Sequence, residues 1–287
     1  MFILDHLIKN ESSAEKGMGR SAAIPARYRR YAKGLATRRA MSRPKCSIVG
    51  HHGEIALPDD PPEFKPTGLT RADLVSNVMR DLVAREALSG IAPSEAELQS
   101  SLQRTMRFAT GDVWIFAYGS LIWNPIFPFA ERRVARVFGY RRSFCLRSIV
   151  GRGSVEKPGL MLALDTGGTA IGVAFRLPPA AVDQEMPLLW RREMTVGSYA
   201  AKWLRAKTTD GDIRVLAFVA NKRAANYVQG LSEAESARMI ASASGFLGSN
   251  LEYLVRTHAG PSEHGIKDTL LARLARRCAQ ATTPPSS

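Results

Sequence analysis

The stretch from Val113 to Pro125 reads VWIFAYGSLIWNP, and the interpretation of the whole chain starts from it. Its first four residues are all apolar, which is typical of a short strand buried on both faces. Gly119 and Ser120, and then Asn124-Pro125, have the composition of turns. A turn that leaves a buried strand can direct several backbone N–H groups at one point, where they bind a carboxylate or a developing oxyanion. A plain connection has the same composition, so both interpretations stay open at this point.

The composition is that of a soluble globular protein with one large domain or two small ones, since 45% of the 287 residues are hydrophobic and 23% are charged. No apolar run approaches the roughly 18 to 20 residues that span a bilayer. Asp5 interrupts the apolar start, so no secretory signal is predicted. Cys46, Cys145 and Cys278 are odd in number and widely spaced, which predicts neither a disulfide framework nor a zinc site. We therefore expect a cytoplasmic location.

The positive charge is concentrated at the start of the chain. Residues 1–50 hold 11 Lys or Arg and three acids, which gives +8 of the net +14. Residues 1–66 also lack a sustained apolar period, so they are predicted to form a basic, disordered extension. A solvated tail, a start assigned too far upstream, a presequence and a nucleic-acid-binding arm all fit this composition. Aromatic residues are few in the segment, so nucleic acid is not the favoured partner.

The rest of the chain, residues 67–280, is predicted to form one mixed α+β domain. Thr70 with Asp73, and Ser94 with Glu97, resemble capping boxes, which predicts two leading helices within 67–110. After the opening strand, further strands are predicted around 134–138, 143–146, 160–164, 170–177, 203–207 and 213–220. Helices are predicted at 179–192, from Ser232, from Ser249 and at 266–279, before a disordered tail at 281–287. This order favours an α+β fold whose sheet is able to curl into a barrel.

A carboxylate on the central helix is placed where an apolar residue is expected. Val182, Met186 and Leu189 follow the helical period, and Glu193 continues it. An unpaired carboxylate on that face has a raised pKa and can serve as a general base or acid. Pairing with Arg191, Arg192 or another arginine is the alternative. Pro187 is expected to kink or restart the helix, which leaves the facing of Glu193 open.

Other kinds of active site have less support in the sequence. None of the five histidines lies near the opening strand or Glu193, which disfavours a Ser-His-acid triad and a zinc site. Cys145 lies within an apolar strand, where a buried structural thiol is favoured over a nucleophile. No phosphate-binding loop or dinucleotide fingerprint is present.

Six ordered blocks of the sequence resemble the ChaC-type, glutathione-specific γ-glutamylcyclotransferases. The resemblance covers about residues 69–268, and its blocks are 116–125, 141–145, 152–154 with 158–160, 172–177, 190–194 and 250–254. It implies an α+β fold, the γ-glutamylcyclotransferase-like small mixed β-barrel with flanking helices. Arg152-Gly153-Ser154 departs from the family's Arg-Gly-Thr but keeps a hydroxyl.

The resemblance also implies a reaction and a site. The family's enzymes, which are lyases of glutathione catabolism, split glutathione into 5-oxoproline and cysteinylglycine with neither metal nor cofactor. Glu193 matches the family's catalytic acid/base. The residues that match its substrate-binding positions are Tyr118, Gly119, Ser120, Leu121, Tyr199 and Tyr253. Two alternatives remain: activity on other γ-glutamyl amines or peptides, and an inactive, basic interaction protein that associates with nucleic acid.

Overall fold

The computed structural model describes residues 68–76, 80 and 92–282. The predicted extension at 1–66 and residues 283–287 of the predicted tail lie outside the described residues. The helices are α1 (Arg71–Val75), α2 (Glu95–Met106), α3 (Ser120–Trp123), α4 (Val182–Met194), α5 (Glu233–Ser242), α6 (Asn250–Ser262) and α7 (Thr269–Thr282). The strands are β1 (Trp114–Ala117), β2 (Glu131–Ser148), β3 (Gly159–Arg176), β4 (Tyr199–Thr208), β5 (Gly211–Ala220), β6 (Ser244–Gly245) and β7 (Gly248–Ser249).

Strands β1 to β5 close into a barrel in the order β1-β3-β2-β4-β5, which confirms the predicted fold class. Closure comes from parallel pairing of β1 with β5, where Trp114 lies opposite Val215. β1 is buried on both faces, as its composition predicted. Trp114 and Phe116 belong to the core shared with α5, α6 and α7. Ile115 lies in the core shared with α2 and α4.

The two longest strands differ from the prediction. The sequence predicted four short strands between 134 and 177, whereas β2 and β3 are each one continuous strand of 18 residues. The register shifts between Phe138 and Tyr140, where Gly139, with φ of +80°, lies opposite both Gly167 and Gly168, so the extra residue of this bulge belongs to β3. In β3, Gly167 and Gly168 also have positive φ, and pairing with β2 resumes on both sides. The glycines that we interpreted as turns therefore bend continuous strands.

The helix starts agree closely with the sequence. Thr70 and Ser94 form reciprocal capping boxes with Asp73 and Glu97, and Ser232 repeats the motif at the start of α5. The predicted stripe on α2 packs on the domain, with Leu98 buried. The last helix begins at Thr269, three residues after the predicted start, and ends at Thr282, within the predicted tail.

The central helix runs unbroken through its proline. A short 3-10 turn, Pro179–Ala181, precedes α4, and α4 then continues past Pro187 to Met194. The expected restart at Pro187 does not occur. The apolar face is thereby extended as far as Glu193. In the described part of the chain, no helix is both long enough and apolar enough to cross a membrane.

Candidate active site

The turn after β1 is held in place through its backbone. A Cβ atom on Gly172 would lie 2.3 Å from the carbonyl oxygen of Ala117, so a glycine there lets β3 approach the end of β1. Arg142 is 6% exposed and donates from Nε to the carbonyl oxygen of Tyr118 at 2.7 Å. Its Nη1 pairs with Asp268 at 3.0 Å, which compensates for the burial of its charge. The position of the turn is therefore set by two neighbouring strands and an ion pair.

The predicted Gly-Ser turn takes the form of one turn of helix. Gly119 is the N-cap of α3, and the backbone N–H of Ile122 donates to the carbonyl oxygen of Gly119 at 2.9 Å. The first N–H groups of any helix have no acceptor within that helix. The predicted role of the Gly119, Ser120 and Leu121 N–H groups in holding an anionic oxygen stays a prediction.

Glu193 lies on the buried side of α4. Met186, Leu189 and Trp190 on this helix are at most 2% exposed, and the Glu193 side chain is 12% exposed. Its Oε1 lies 3.1 Å from Nε of Arg192. From the sequence, burial on an apolar face and pairing with an arginine were alternative settings for Glu193. In the structure, Glu193 has both.

These surroundings have opposite effects on the protonation of Glu193. Burial raises the pKa of the Glu193 carboxyl above its usual value, while the charge and hydrogen bond of Arg192 oppose that increase. The pKa remains raised on balance. A carboxyl with a raised pKa exchanges protons more readily near neutral pH, as a general acid/base requires.

All seven residues predicted for the site line one small cavity. They are Tyr118, Gly119, Ser120, Leu121, Glu193, Tyr199 and Tyr253. These residues come from the end of β1, from α3, from α4, from β4 and from α6, so the barrel and its helices bring together positions that are far apart in the chain. Their individual roles stay predictions.

The three tyrosines supply neutral hydroxyls to this cavity. Tyr118 donates its hydroxyl to the carbonyl oxygen of Phe218 at 2.6 Å, and Tyr199 donates to that of Leu162 at 2.9 Å. Burial raises the pKa of Tyr253 to about 12 and the pKa values of Tyr118 and Tyr199 well above the ordinary value. All three phenols are therefore protonated at neutral pH; the single O–H of Tyr118 and that of Tyr199 are already donated to main-chain carbonyls, so towards a ligand these two oxygens act as acceptors.

A wider groove adjoins the small cavity. Four residues line both spaces: Ser120, Glu193, Tyr199 and Tyr253. Three arginines line the groove: Arg147, Arg152 and Arg192. Glu193 is the single acid among the described residues that line it. The balance of charge is positive, which suits a ligand with an anionic arm.

Sequence reasoning did not assign a site role to Arg142, Gly172 or Arg192. A signal for Arg142 was present, because Arg142 lies two residues before Phe144 in β2 and both side chains are buried. An arginine on the buried face of a strand predicts a buried partner. Gly172 gave no such signal, since its role depends on the approach of another strand.

The family follows from comparison with known sequences. The model of the family described as "ChaC-like protein" matches residues 113–280, which is more than half of the chain. The chain belongs to the ChaC-like family. This match includes the strand, the turn and the acid that build the cavity.

Individual relatives of this ChaC-like chain carry consistent names. The glutathione-specific gamma-glutamylcyclotransferase of Escherichia coli K12 is 38% identical over 195 residues, covering 63% of this chain and 84% of the relative. The glutathione-specific gamma-glutamylcyclotransferase 1 of Mus musculus is 36% identical over 172 residues, covering 57% of this chain and 76% of the relative.

The fold is shared with a solved structure. The crystal structure of a γ-glutamyl cyclotransferase specific to glutathione from yeast superposes with a TM-score of 0.55. The superposition covers 60% of this ChaC-like chain and 97% of the yeast chain, at 20% sequence identity. At that identity the likeness concerns the fold, and it supports the barrel with flanking helices.

Proposed function

We propose that this chain is a glutathione-specific γ-glutamylcyclotransferase that cleaves glutathione into 5-oxoproline and cysteinylglycine. One observation carries the proposal: a buried carboxyl with a raised pKa, Glu193, lies in one cavity with the Tyr118–Leu121 turn. The names of the bacterial and mouse relatives support the same substrate. We place the activity in residues 67–280 and propose a cytoplasmic location.

The reaction needs a folded substrate and a group that transfers protons between the two reacting nitrogens. The α-amine of the γ-glutamyl group attacks the γ-carbonyl carbon, so a C–N bond forms and closes the five-membered ring of 5-oxoproline. The amide C–N bond to the cysteinyl nitrogen then breaks. Both reacting groups belong to one molecule, and well-oriented intramolecular reactions reach effective molarities of about 10⁵ to 10⁸ M. The main task of the cavity is therefore to hold the reactive conformer.

Glu193 moves the proton in this proposal. At neutral pH the substrate amine is mainly an ammonium ion, which has no lone pair for attack. Glu193 accepts one proton from it and, after the ring has closed, donates that proton to the departing cysteinyl nitrogen. The ring nitrogen then loses its second proton to the freed Glu193 carboxylate, which passes it to the released amine or to solvent. Such a transfer contributes about 10² to 10⁴-fold to the rate. The Arg192 contact keeps the carboxylate available as the acceptor.

The turn and the tyrosines bind the γ-glutamyl group. We propose that the N–H groups of Gly119, Ser120 and Leu121 hold the glutamyl carboxylate or the carbonyl oxygen as negative charge develops on it. The protonated hydroxyls of Tyr199 and Tyr253 line the same space. The cysteinylglycine arm then extends into the wider groove, where its carboxylate meets a positively charged lining.

The test of this function is release of 5-oxoproline and cysteinylglycine from glutathione by wild-type protein and by Glu193→Gln. We expect the variant to lose about 10² to 10⁴-fold in kcat. Glu185→Gln is the matched control, because Glu185 lies on the same helix, is 5% exposed and pairs with Arg71 at 2.6 Å, away from the cavity. Wild-type turnover by Glu193→Gln would rule out the assignment.

A second candidate function uses the same site on other γ-glutamyl amines or peptides. The width and charge of the groove support a peptide arm with a carboxylate. Comparing glutathione with γ-glutamyl compounds that have a neutral amine as leaving group separates the two candidates. Equal kcat/KM for both substrate classes would favour the broader activity.

A further inference from the structure

Arg192 connects the candidate acid to the substrate-binding turn. Its Nε lies 3.1 Å from Oε1 of Glu193. Its Nη2 donates to Oγ of Ser120 at 3.0 Å, and its Nη1 donates to the carbonyl oxygen of Asn124 at 2.6 Å. Ser120 is the first residue of α3, and Asn124 is its C-cap. One planar group thus contacts the carboxylate and both ends of α3.

The chemistry of these contacts requires a guanidinium. Arginine presents five N–H donors in a rigid plane, whereas a lysine ammonium is a compact charge that cannot reach three separated acceptors in one plane. The Arg192 side chain is 6% exposed, so its contacts form with little competition from water. A rigid link of this kind fixes the distance between a proton acceptor and a substrate-binding turn, where a displacement of about 1 Å can cost about 100-fold in rate.

The other groups that face Glu193 are neutral at working pH. They are Tyr118 from the end of β1, Tyr199 from β4 and Tyr253 from α6, and burial keeps their hydroxyls protonated. Arg192 is the cation that contacts the carboxylate. Burial favours the neutral form of Glu193, and Arg192 favours the ionised form.

We propose that Arg192 is a positioning residue, which holds Glu193 as a carboxylate at a fixed place relative to the Ser120–Asn124 turn. The proposal deepens the cyclotransferase function above and depends on it for its catalytic consequence. Arg192 acts through Glu193 and through the turn. Removal of its charge and removal of its planar geometry therefore have separate effects.

Two substitutions separate these effects. Arg192→Met removes both charge and donors, so the pKa of Glu193 rises further and the acid limb of the kcat/KM profile moves to higher pH. Arg192→Lys retains a charge but loses the planar contacts, so we expect a smaller movement of the acid limb and a raised KM. Loss of hydrogen bonds to charged groups predicts a decrease in kcat/KM of about 10 to 100-fold for each variant.

Arg191→Met is the matched control. Arg191 is the neighbouring arginine of the same helix and pairs with Glu95 of α2 at 3.2 Å, outside the cavity. We expect it to leave the acid limb and the KM for glutathione unchanged. If Arg192→Met does not fold, the KM of Arg192→Lys for glutathione tests the proposal instead. The proposal would be overturned if the folded Arg192 variants had the same acid limb and the same KM for glutathione as Arg191→Met.

A direct titration keeps this proposal separate from the proposed function. The carboxyl carbon of Glu193 is followed by ¹³C NMR in glutamate-labelled protein, and its signal is assigned by its loss in Glu193→Gln. We expect the pH midpoint of the Glu193 titration to be higher in Arg192→Met than in wild type or in Arg191→Met. An unchanged midpoint contradicts the electrostatic part of the Arg192 role. Absence of 5-oxoproline release by wild-type protein, with the midpoint shifted as expected, refutes the function alone.

Discussion

Gly172→Ala is expected to displace the Tyr118–Leu121 turn, which we propose binds the substrate, by steric contact alone. The added Cβ would lie 2.3 Å from the carbonyl oxygen of Ala117 and 2.8 Å from the ring of Phe116, whereas real Cβ contacts are not found below 3.0 Å. The end of β1 must therefore withdraw by about 0.7 Å or more, which is the difference between 3.0 Å and 2.3 Å. Ala117 directly precedes Tyr118, so the displacement reaches the turn.

The size of both effects follows from this displacement. Because about 1 Å of misplacement can cost about 100-fold in rate, we expect kcat/KM for glutathione to fall by about 10 to 100-fold. Overpacking in a closely packed core costs about 1–3 kcal/mol of unfolding free energy. For a domain of this size, that loss lowers Tm by roughly 2–12 °C.

The assay is 5-oxoproline release at a temperature at which circular dichroism shows each variant to be folded. Leu274→Ala is the control, because Leu274 is 1% exposed on α7, lines neither the cavity nor the groove, and its truncation costs about 2–5 kcal/mol. Its kcat/KM is expected to match that of wild type. Wild-type kcat/KM in folded Gly172→Ala, or an equal loss in Leu274→Ala, would refute the link between strand approach and activity.

Two further predictions concern charge. The plot of kcat/KM against pH is expected to rise through an acid limb whose midpoint lies above 4.5, the ordinary pKa of a glutamate. The reason is that burial raises the pKa of Glu193, whose ionised form is the proposed base. A midpoint at or below 4.5 would contradict this role. Arg142→Met is expected to lower the unfolding free energy by about 3–5 kcal/mol in urea titrations, since it leaves the partly buried Asp268 without its cation and the Tyr118 carbonyl without its donor. A loss below about 1 kcal/mol would show that this ion pair does little to hold the turn.

The sequence predicted the features that depend on near neighbours. The apolar run of β1 specifies burial on both faces, whatever lies beyond it. A capping box involves residues three apart, and the burial of Glu193 follows from a helical period of three and four. These rules operate within one or two turns of chain, so one sequence is sufficient to apply them.

The features that the sequence did not predict depend on distant partners. A glycine within an apolar run is compatible with a turn or with a bulge, and the pairing of β2 with β3 decides that Gly167 and Gly168 form a bulge opposite Gly139. Arg142 meets Asp268 across 126 residues, and Arg192 meets Ser120 across 72. No periodicity relates such positions. The positioning of the turn therefore had to come from the structure, although most of the cavity-lining residues were predicted.

The turn between Tyr118 and Asn124 is held at both ends by buried arginines. Arg142 binds the carbonyl oxygen of Tyr118, and Arg192 binds Ser120 and the carbonyl oxygen of Asn124. Each arginine also contacts one carboxylate, Asp268 or Glu193. A helix of four residues has little stability of its own, so its geometry is set by these external donors. The carboxylate that pairs with Arg142 lies outside the cavity lining, whereas the one that pairs with Arg192 lies within it. The same kind of clamp thus holds the turn at one end and, in the function that we propose, aligns the proton carrier Glu193 with it at the other.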